Sequence, residues 1–294
     1  MANLKEIRVR ITSVSTTRQI TSAMKMVSAA KLKRAQDAII QLRPYAFKLS
    51  EIIKNISSNL DASDDIYGKE RPVKNVLMVL VTSNRGLCGA FNSNAIKVAV
   101  GSAHVNYEQQ MKAGKLSFMC IGKKGQEFLK GRNYPIHSVH NELLDKPNFE
   151  KVIPVAEEIL ALYASGKVDK VILVFNKFKN AGVQILTEEQ FLPIPKKKED
   201  KEKLTGMQVD YLYEPTKEAI LQELIPRSLK IDFYKAVLDS NASEHGARMT
   251  AMHKATDNAT EMIKSLTLVY NKARQAAITG EILEIVGGAE ALRG

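Results

Sequence analysis

Along the first 60 residues, apolar or small side chains recur at alternating steps of three and four. Leu4, Ile7, Ile11 and Val14 open the series. Leu32, Ala35, Ile39, Leu42, Ala46, Leu49, Ile53, Ile56 and Leu60 continue it. This spacing averages about 3.5 residues per turn, the period of a coiled-coil seam. Between the two blocks the register passes through four polar residues, Arg18, Thr21, Lys25 and Ser28. The apolar positions of that window are Ile20, Met24 and Val27, so the stripe is expected to move there and the packing to change. Pro44 lies inside the pattern and is expected to kink or break the helix.

A second 3-4 series runs through Leu238, Ala242, His245, Met249, Met252, Thr256, Ala259, Ile263, Leu266, Tyr270, Ala273, Ala277 and Gly280. Many of these side chains are small, which lets two helix axes approach closely. At about 1.5 Å per residue, the first helix reaches roughly 80 Å and one over residues 216–286 roughly 105 Å. Paired antiparallel, they make a rod projecting from a central domain. The alternative is a helical bundle folded back on itself.

Between the two series the pattern changes. Residues 75–82, 116–121 and 170–178 are short apolar runs that read as strands. Residues 93–113 read as helix, as do 149–165, and 122–129 as a helix start. Residues 183–193 read as a further strand, antiparallel to its predecessor through the turn Asn180-Ala181-Gly182. Alternation of strand and helix predicts a small, mostly parallel α/β sheet with helices on its faces. The segment KKKEDKEK, residues 196–203, reads as a solvated charged loop.

Composition sharpens this division. No glycine precedes Gly68, and 11 of the 16 glycines and seven of the nine prolines lie in residues 68–215. Since both interrupt regular helices, the chain reads as helix, mixed middle, helix. Its 294 residues suggest about two structural units, and 45% apolar residues exclude wholesale disorder. Two cysteines, Cys88 and Cys120, rule out a disulfide scaffold. No apolar run approaches the roughly 20 residues of a membrane span. The first residues, MANLKEIRVR, lack an apolar signal core, so a soluble, non-secreted protein is expected. The net charge is +11, and residues 1–43 alone carry nine basic against two acidic side chains. A basic helix of this kind faces nucleic acid, anionic lipid or an acidic protein. Aromatic residues are absent up to Tyr45, which argues against stacking on single strands.

Candidate chemistry is sparse. Gly86-Leu87-Cys88-Gly89 follows a strand directly, where backbone N–H groups can cradle phosphate. The third glycine of a dinucleotide fingerprint and the Gly-Lys-Ser/Thr ending of a P-loop are both missing. A nucleotide-binding α/β enzyme and a plain tight turn are the two readings. Cys88 at a helix start reads as a nucleophile or as a small buried thiol. The histidines, 104, 137, 140, 245 and 253, lack paired metal-ligand spacing within a helix turn. His137 and His140 follow Pro135 in an expected loop. His245 falls on the apolar seam as a packing residue, and Asp64 and Asp65 fall in an expected solvated loop.

Three blocks together resemble one family, the gamma subunit of F-type ATP synthases. They are residues 7–36, IRVRITSVSTTRQITSAMKMVSAAKLKRAQ; residues 82–92, TSNRGLCGAFN; and residues 242–292, with the tail signature Ile278, Thr279, Glu281, Glu284, Gly288, Ala289. The resemblance implies a long antiparallel coiled coil of the terminal helices, residues 1–60 and 215–294. It implies a central Rossmann-like α/β domain over residues 68–214. It also implies a non-catalytic rotor shaft with no cofactor or metal. Such a shaft stands inside a ring of three alpha and three beta subunits, its foot against the epsilon subunit and the membrane c-ring. By the same resemblance, Met24, Lys25 and Met26 meet beta-subunit loops. Arg274, Gln275, Thr279 and Glu281 contact the beta subunit's catch region. Nucleic acid is not an expected partner.

Three departures stand out. Asn84 occupies a position where the family usually has Asp. Gly246 and Gly280 replace better helix formers, each at an expected cost of about 1 kcal/mol relative to alanine. No paired-cysteine insertion is present, so no thiol switch is expected. No transit peptide precedes the first helix, which suggests a peripheral protein on the cytoplasmic face of a bacterial plasma membrane.

Overall fold

The computed structural model describes residues 4–57, 66–69, 71–195 and 216–292. The charged segment 196–203 and the pair Asp64–Asp65 lie outside these. The chain divides into two compact units, residues 30–247 and residues 1–29 together with 248–294.

The unit of residues 30–247 is built on five strands: β1 (Val76–Val81), β2 (Leu116–Ile121), β3 (Ile136–Val139), β4 (Lys170–Phe178) and β5 (Gln184–Leu192). Their order is β3-β2-β1-β4-β5, parallel except for β5, which runs antiparallel to β4. The turn between β4 and β5 is the expected one. Asn180 Oδ1 accepts from the Gly182 and Val183 N–H groups at 3.0 and 2.8 Å.

Both faces of the sheet are covered, which is why β1 reads as an unbroken apolar run. One face, with Met78, Phe118 and Val174, packs on α2 (Phe91–Val105) and α4 (Lys123–Gly131). The other, with Val79, Met119 and Leu173, packs on α5 (Phe149–Ala164) and on Phe233 and Val237 of a later helix.

Two expectations for this unit need correction. The helix expected over 93–113 is split into α2 and a short α3 (Glu108–Lys112). At the break, Asn106 turns its Nδ2 back to Ser102 Oγ at 3.1 Å, while Tyr107 and Met111 pack against the sheet core. Residues 136–144, expected as a loop around His137 and His140, form strand β3 and a 3-10 turn (Asn141–Leu144). Pairing with β2 supplies the backbone partners, including His140 N–H to the Cys120 carbonyl at 2.9 Å.

Helix α1 (Leu4–Ser57) and helix α6 (Lys217–Ala291) carry the two 3-4 series. Their 54 and 75 residues correspond to about 81 and 112 Å of helix. Pro44 does not break α1. It lies on the exposed side, as does Ile40, whose carbonyl loses its bond to the proline nitrogen, while Leu42, Ala46 and Leu49 stay covered.

In the unit of residues 1–29 and 248–294, the two series face each other. Ile7, Met252 and Ala259 are buried, and the other positions of both seams are at least half-buried. Cover fades beyond Gly280, where the start of α1 has run out, so the segments are antiparallel.

The expected shift of the stripe does not occur. Thr21 and Ser28 remain in the seam at 8% and 3% exposure, whereas Ile20, Met26 and Val27 face outward, Met26 at 63%. The hydroxyls tolerate burial because their protons go to helix carbonyls. Ser28 Oγ donates to Met24 O at 2.8 Å and Thr21 Oγ1 to Arg18 O at 3.0 Å.

Candidate functional site

The glycine turn sits at the carboxyl end of β1. Strand order reverses between β1 and β4, the place where open α/β sheets hold ligands. Here the turn uses its polar groups on itself. Ser83 N–H donates to Asn92 Oδ1 at 2.8 Å, Ser83 Oγ to Arg85 O at 2.6 Å, and Asn92 Nδ2 to Cys88 Sγ at 3.2 Å. Asn92 belongs to the first turn of α2, so its side chain lies back across the loop. Leu87 and Gly89 adopt φ near +60°, which makes the reversal tight.

Cys88 and Cys120 are both buried, and burial pushes the Cys120 thiol up to about 11. Neither has the exposed, electropositive surroundings of a reactive thiol. At the end of β4, Ser243 Oγ of α6 donates to the Asn176 carbonyl at 3.0 Å. The switch point is therefore occupied by α6 and by the turn's own side chains, which favours the plain-turn reading of Gly86–Gly89.

Asn84 is better suited to this loop than aspartate. Its Oδ1 accepts from Lys123 N–H at 3.1 Å, while Nδ2 donates to Asn141 O at 2.8 Å and to Asp145 Oδ1 at 3.4 Å. A carboxylate would set an acceptor against two acceptors.

Gly246 also has a local reason. A Cβ there would stand 3.1 Å from the Ala181 carbonyl oxygen, so glycine lets the β4–β5 turn lie against α6. No such neighbour meets Gly280, which has open space. Neither Asn84's double role nor the Gly246 contact had a signal in the sequence, since both depend on residues far along the chain.

The second region is the window of residues 18–28 on α1. Polarity is inverted there. Polar Thr21 and Ser28 are buried, while apolar Ile20, Met26 and Val27 are exposed and Met24 and Lys25 half-buried. Across the seam, Thr256 Oγ1 lies 2.9 Å from Thr21 Oγ1. Thr256 Oγ1 also lies 2.8 Å from the Met252 carbonyl, so its single proton is shared between that oxygen and Thr21, whose own proton goes to Arg18 O.

The third region is the end of α6. Arg274, Gln275, Thr279 and Glu281 are all exposed, and apolar Ile278, Ile282, Leu283, Ile285 and Val286 are exposed beside them. A helix stretch left apolar and uncovered on several sides has the character of a surface meant for a partner.

Nothing in these regions assembles nucleophile, base and oxyanion donors. What the molecule offers instead is two exposed apolar stretches on long helices and a sheet-bearing unit with both faces filled.

Comparison with known proteins agrees with this character. The family model described as ATP synthase matches residues 3–292. The ATP synthase gamma chain of Flavobacterium johnsoniae is 56% identical over 296 residues, covering all of both chains. That of Cytophaga hutchinsonii is 52% identical, covering 99% of each, and that of Chlorobaculum tepidum 44% identical, covering all of both. Among solved structures, a chain of the Euglena gracilis mitochondrial ATP synthase (OSCP/F1/c-ring) superimposes with a TM-score of 0.68 at 20% identity, over 98% of this chain and 94% of that one. A chain of the Tetrahymena thermophila central stalk/c-ring gives 0.57 at 24% identity, over 80% and 99%. At these identities the structures speak for the fold alone.

Proposed function

The chain belongs to the family of ATP synthase gamma chains, and from that premise we propose that it works as the central shaft between a membrane ring and the catalytic subunits. As a gamma chain it is a non-catalytic subunit. Its task is mechanical: to present different faces to identical catalytic sites in turn.

The energetics favour shape over charge. Moving a two-state site from 1:99 to 99:1 takes about 5.5 kcal/mol of differential contact. Exposed ion pairs contribute about 0–1 kcal/mol each. Apolar surface presented outward on a paired helix reaches the required scale without relying on one pair.

The inverted window carries this reading. Met24, Lys25 and Met26 are the residues whose family counterparts meet beta-subunit loops, and Met26 is exposed beside Ile20 and Val27. Lys25 supplies the charge for acidic loops there. At the end of α6, Arg274, Gln275, Thr279 and Glu281 contact the beta subunit's catch region. The partners are three alpha and three beta subunits, the epsilon subunit and the c-ring. The central part of the chain, residues 68–214, forms the foot toward the membrane.

No described helix is long and apolar enough to cross a membrane. We place the subunit peripherally, on the cytoplasmic face of a bacterial plasma membrane, as its bacterial relatives suggest. Co-expression with alpha and beta subunits is expected to yield a complex in which this chain restores ATPase activity. Failure to assemble with them would reject the proposal. Equilibrium dialysis of the isolated chain with ATP is expected to show negligible binding.

A further inference from the structure

The four parallel strands begin at one end of the sheet, and the segments that lead into them meet there. Val76 pairs with both Leu116 and Lys170. Its N–H donates to the Lys115 carbonyl at 2.9 Å, and Asp169 N–H donates to the Asn75 carbonyl at 2.9 Å. The segment before β1 is tied down at the same end. Tyr163 Oη donates to the Lys69 carbonyl at 2.9 Å, Gln110 Nε2 to the Val73 carbonyl at 3.1 Å, and Ile194 N–H, just past β5, to the Tyr67 carbonyl at 2.9 Å.

This amino end is basic. Lys69, Lys74, Lys115, Arg132 and Lys167 are all exposed on the segments leading into the strands. None of the five has an ion pair among the described residues. The described carboxylates on those segments are already engaged. Asp169 Oδ2 accepts from the Lys74 and Asn75 N–H groups at 3.0 and 2.8 Å, and Glu108 pairs with Lys112 at 2.6 Å.

Apolar Ile66 and Val73 are exposed among these cations. A nucleic-acid backbone would meet the charge but give nothing to those two side chains. The boundary between lipid headgroups and acyl chains takes both. The cations are lysines except for Arg132, whereas interfaces between proteins are enriched in arginine and depleted in lysine. Long, flexible lysine stems suit a fluid array of phosphates.

Helix α6 passes from this end, where Phe233 meets Phe191 near the close of β5, to the carboxyl end, where Gly246 lies on the β4–β5 turn. The chain leaves this unit at the carboxyl end, so the basic face is at the opposite one. We propose that the amino end of the sheet docks on anionic phospholipid headgroups, with Ile66 and Val73 entering the headgroup layer. The proposal rests on the shaft reading, which sets the sheet unit on the membrane side. Many weak, exchanging contacts with fluid lipid would steady the foot without stopping it from turning.

The test is flotation of the full chain with vesicles of phosphatidylcholine and phosphatidylglycerol, against phosphatidylcholine alone. Binding is expected only to the anionic vesicles and is expected to fall at high salt. Each lysine near such a surface is worth about fivefold, so Lys74→Gln, Lys115→Gln and Lys167→Gln combined are expected to lower the partition about 100-fold. The same charge change on exposed positions of α1, Arg8→Gln, Arg10→Gln and Lys31→Gln, is expected to cost far less. Equal losses from the two triple variants would make net charge the cause and overturn the proposal. The chain has no tryptophan, so Val73→Trp gives a single reporter. Its emission is expected to shift to the blue on anionic vesicles, and a bound chain without that shift would put another face on the lipid and overturn the proposal. Retention on duplex DNA as strong as on the vesicles would do the same. A chain that assembles with alpha and beta subunits but stays off the vesicles would overturn this proposal alone and leave the shaft reading standing.

Discussion

The sheet-bearing unit and the paired-helix segments solve the burial problem in opposite ways. Around the sheet, apolar residues point inward and both faces are filled. Leu77, Met78, Phe118 and Phe233 have no exposed surface. In residues 18–28 of α1 the order is reversed, with hydroxyls in the seam and Ile20, Met26 and Val27 outside. The sheet unit has the pattern of a module stable on its own packing. The helix pair leaves apolar surface in water, an arrangement that makes sense only once a partner covers it. Fold stability and partner contact are thus assigned to different residues, and substitutions can separate them.

The largest effect is expected in the sheet unit. Phe233→Ala removes a ring packed against Phe191 at 6.0 Å between centroids and is expected to cost about 3–5 kcal/mol in chemical denaturation. If the loss were under about 1 kcal/mol, the claim that this core sets the fold would fail.

The two helical glycines divide the same way. Gly246→Ala presses a methyl group on the Ala181 backbone and is expected to cost about 1–3 kcal/mol. Gly280→Ala meets open space and is expected to gain up to about 1 kcal/mol. Equal thermal shifts for the two would show that helix propensity, not local contact, governs both.

In the helix pair, Thr256→Val and Thr21→Val are each expected to cost about 1 kcal/mol, with the double variant losing less than the sum. Strict additivity would remove the cross-seam hydrogen bond from the account.

The smallest effect is pH-dependent. Burial holds the Asp239 carboxyl above its ordinary 3.8, against the pull of Lys235, Lys177 and Arg43. The folded chain therefore binds this proton more tightly than the unfolded one. That contribution is complete at acid pH and is lost as pH rises from the ordinary carboxylate value through the raised one. Asp239→Asn is expected to melt higher than the parent at neutral pH, with the difference closing near about pH 3. A gap that widens on acidification would contradict the sign.

Much of this architecture was legible in residue spacing because it rests on local periodicity. The 3-4 series placed both seams, and the apolar runs placed β1, β2 and β4. What escaped was non-local. Periodicity placed the apolar stripe of residues 18–28 on Ile20, Met24 and Val27, because burying hydroxyls is costly unless their protons reach helix carbonyls, as those of Thr21 and Ser28 do. Strand β3 escaped because four residues of mixed polarity carry no signal without β2 beside them. Gly246 looked like a weak point of the helix, since the turn that needs it is 65 residues away in sequence. The contact residues came from resemblance, and no spacing rule would have selected Gln275 or Thr279 from other exposed helix positions.

The most direct test replaces the outward apolar residues of the window together. In the assembled complex, Ile20→Ser, Met26→Ser and Val27→Ser combined are expected to leave assembly and the stability of the isolated chain close to parental. The ions pumped per ATP hydrolysed are expected to fall several-fold. Parental coupling in an intact complex carrying all three substitutions would contradict the claim that this inverted surface transmits force.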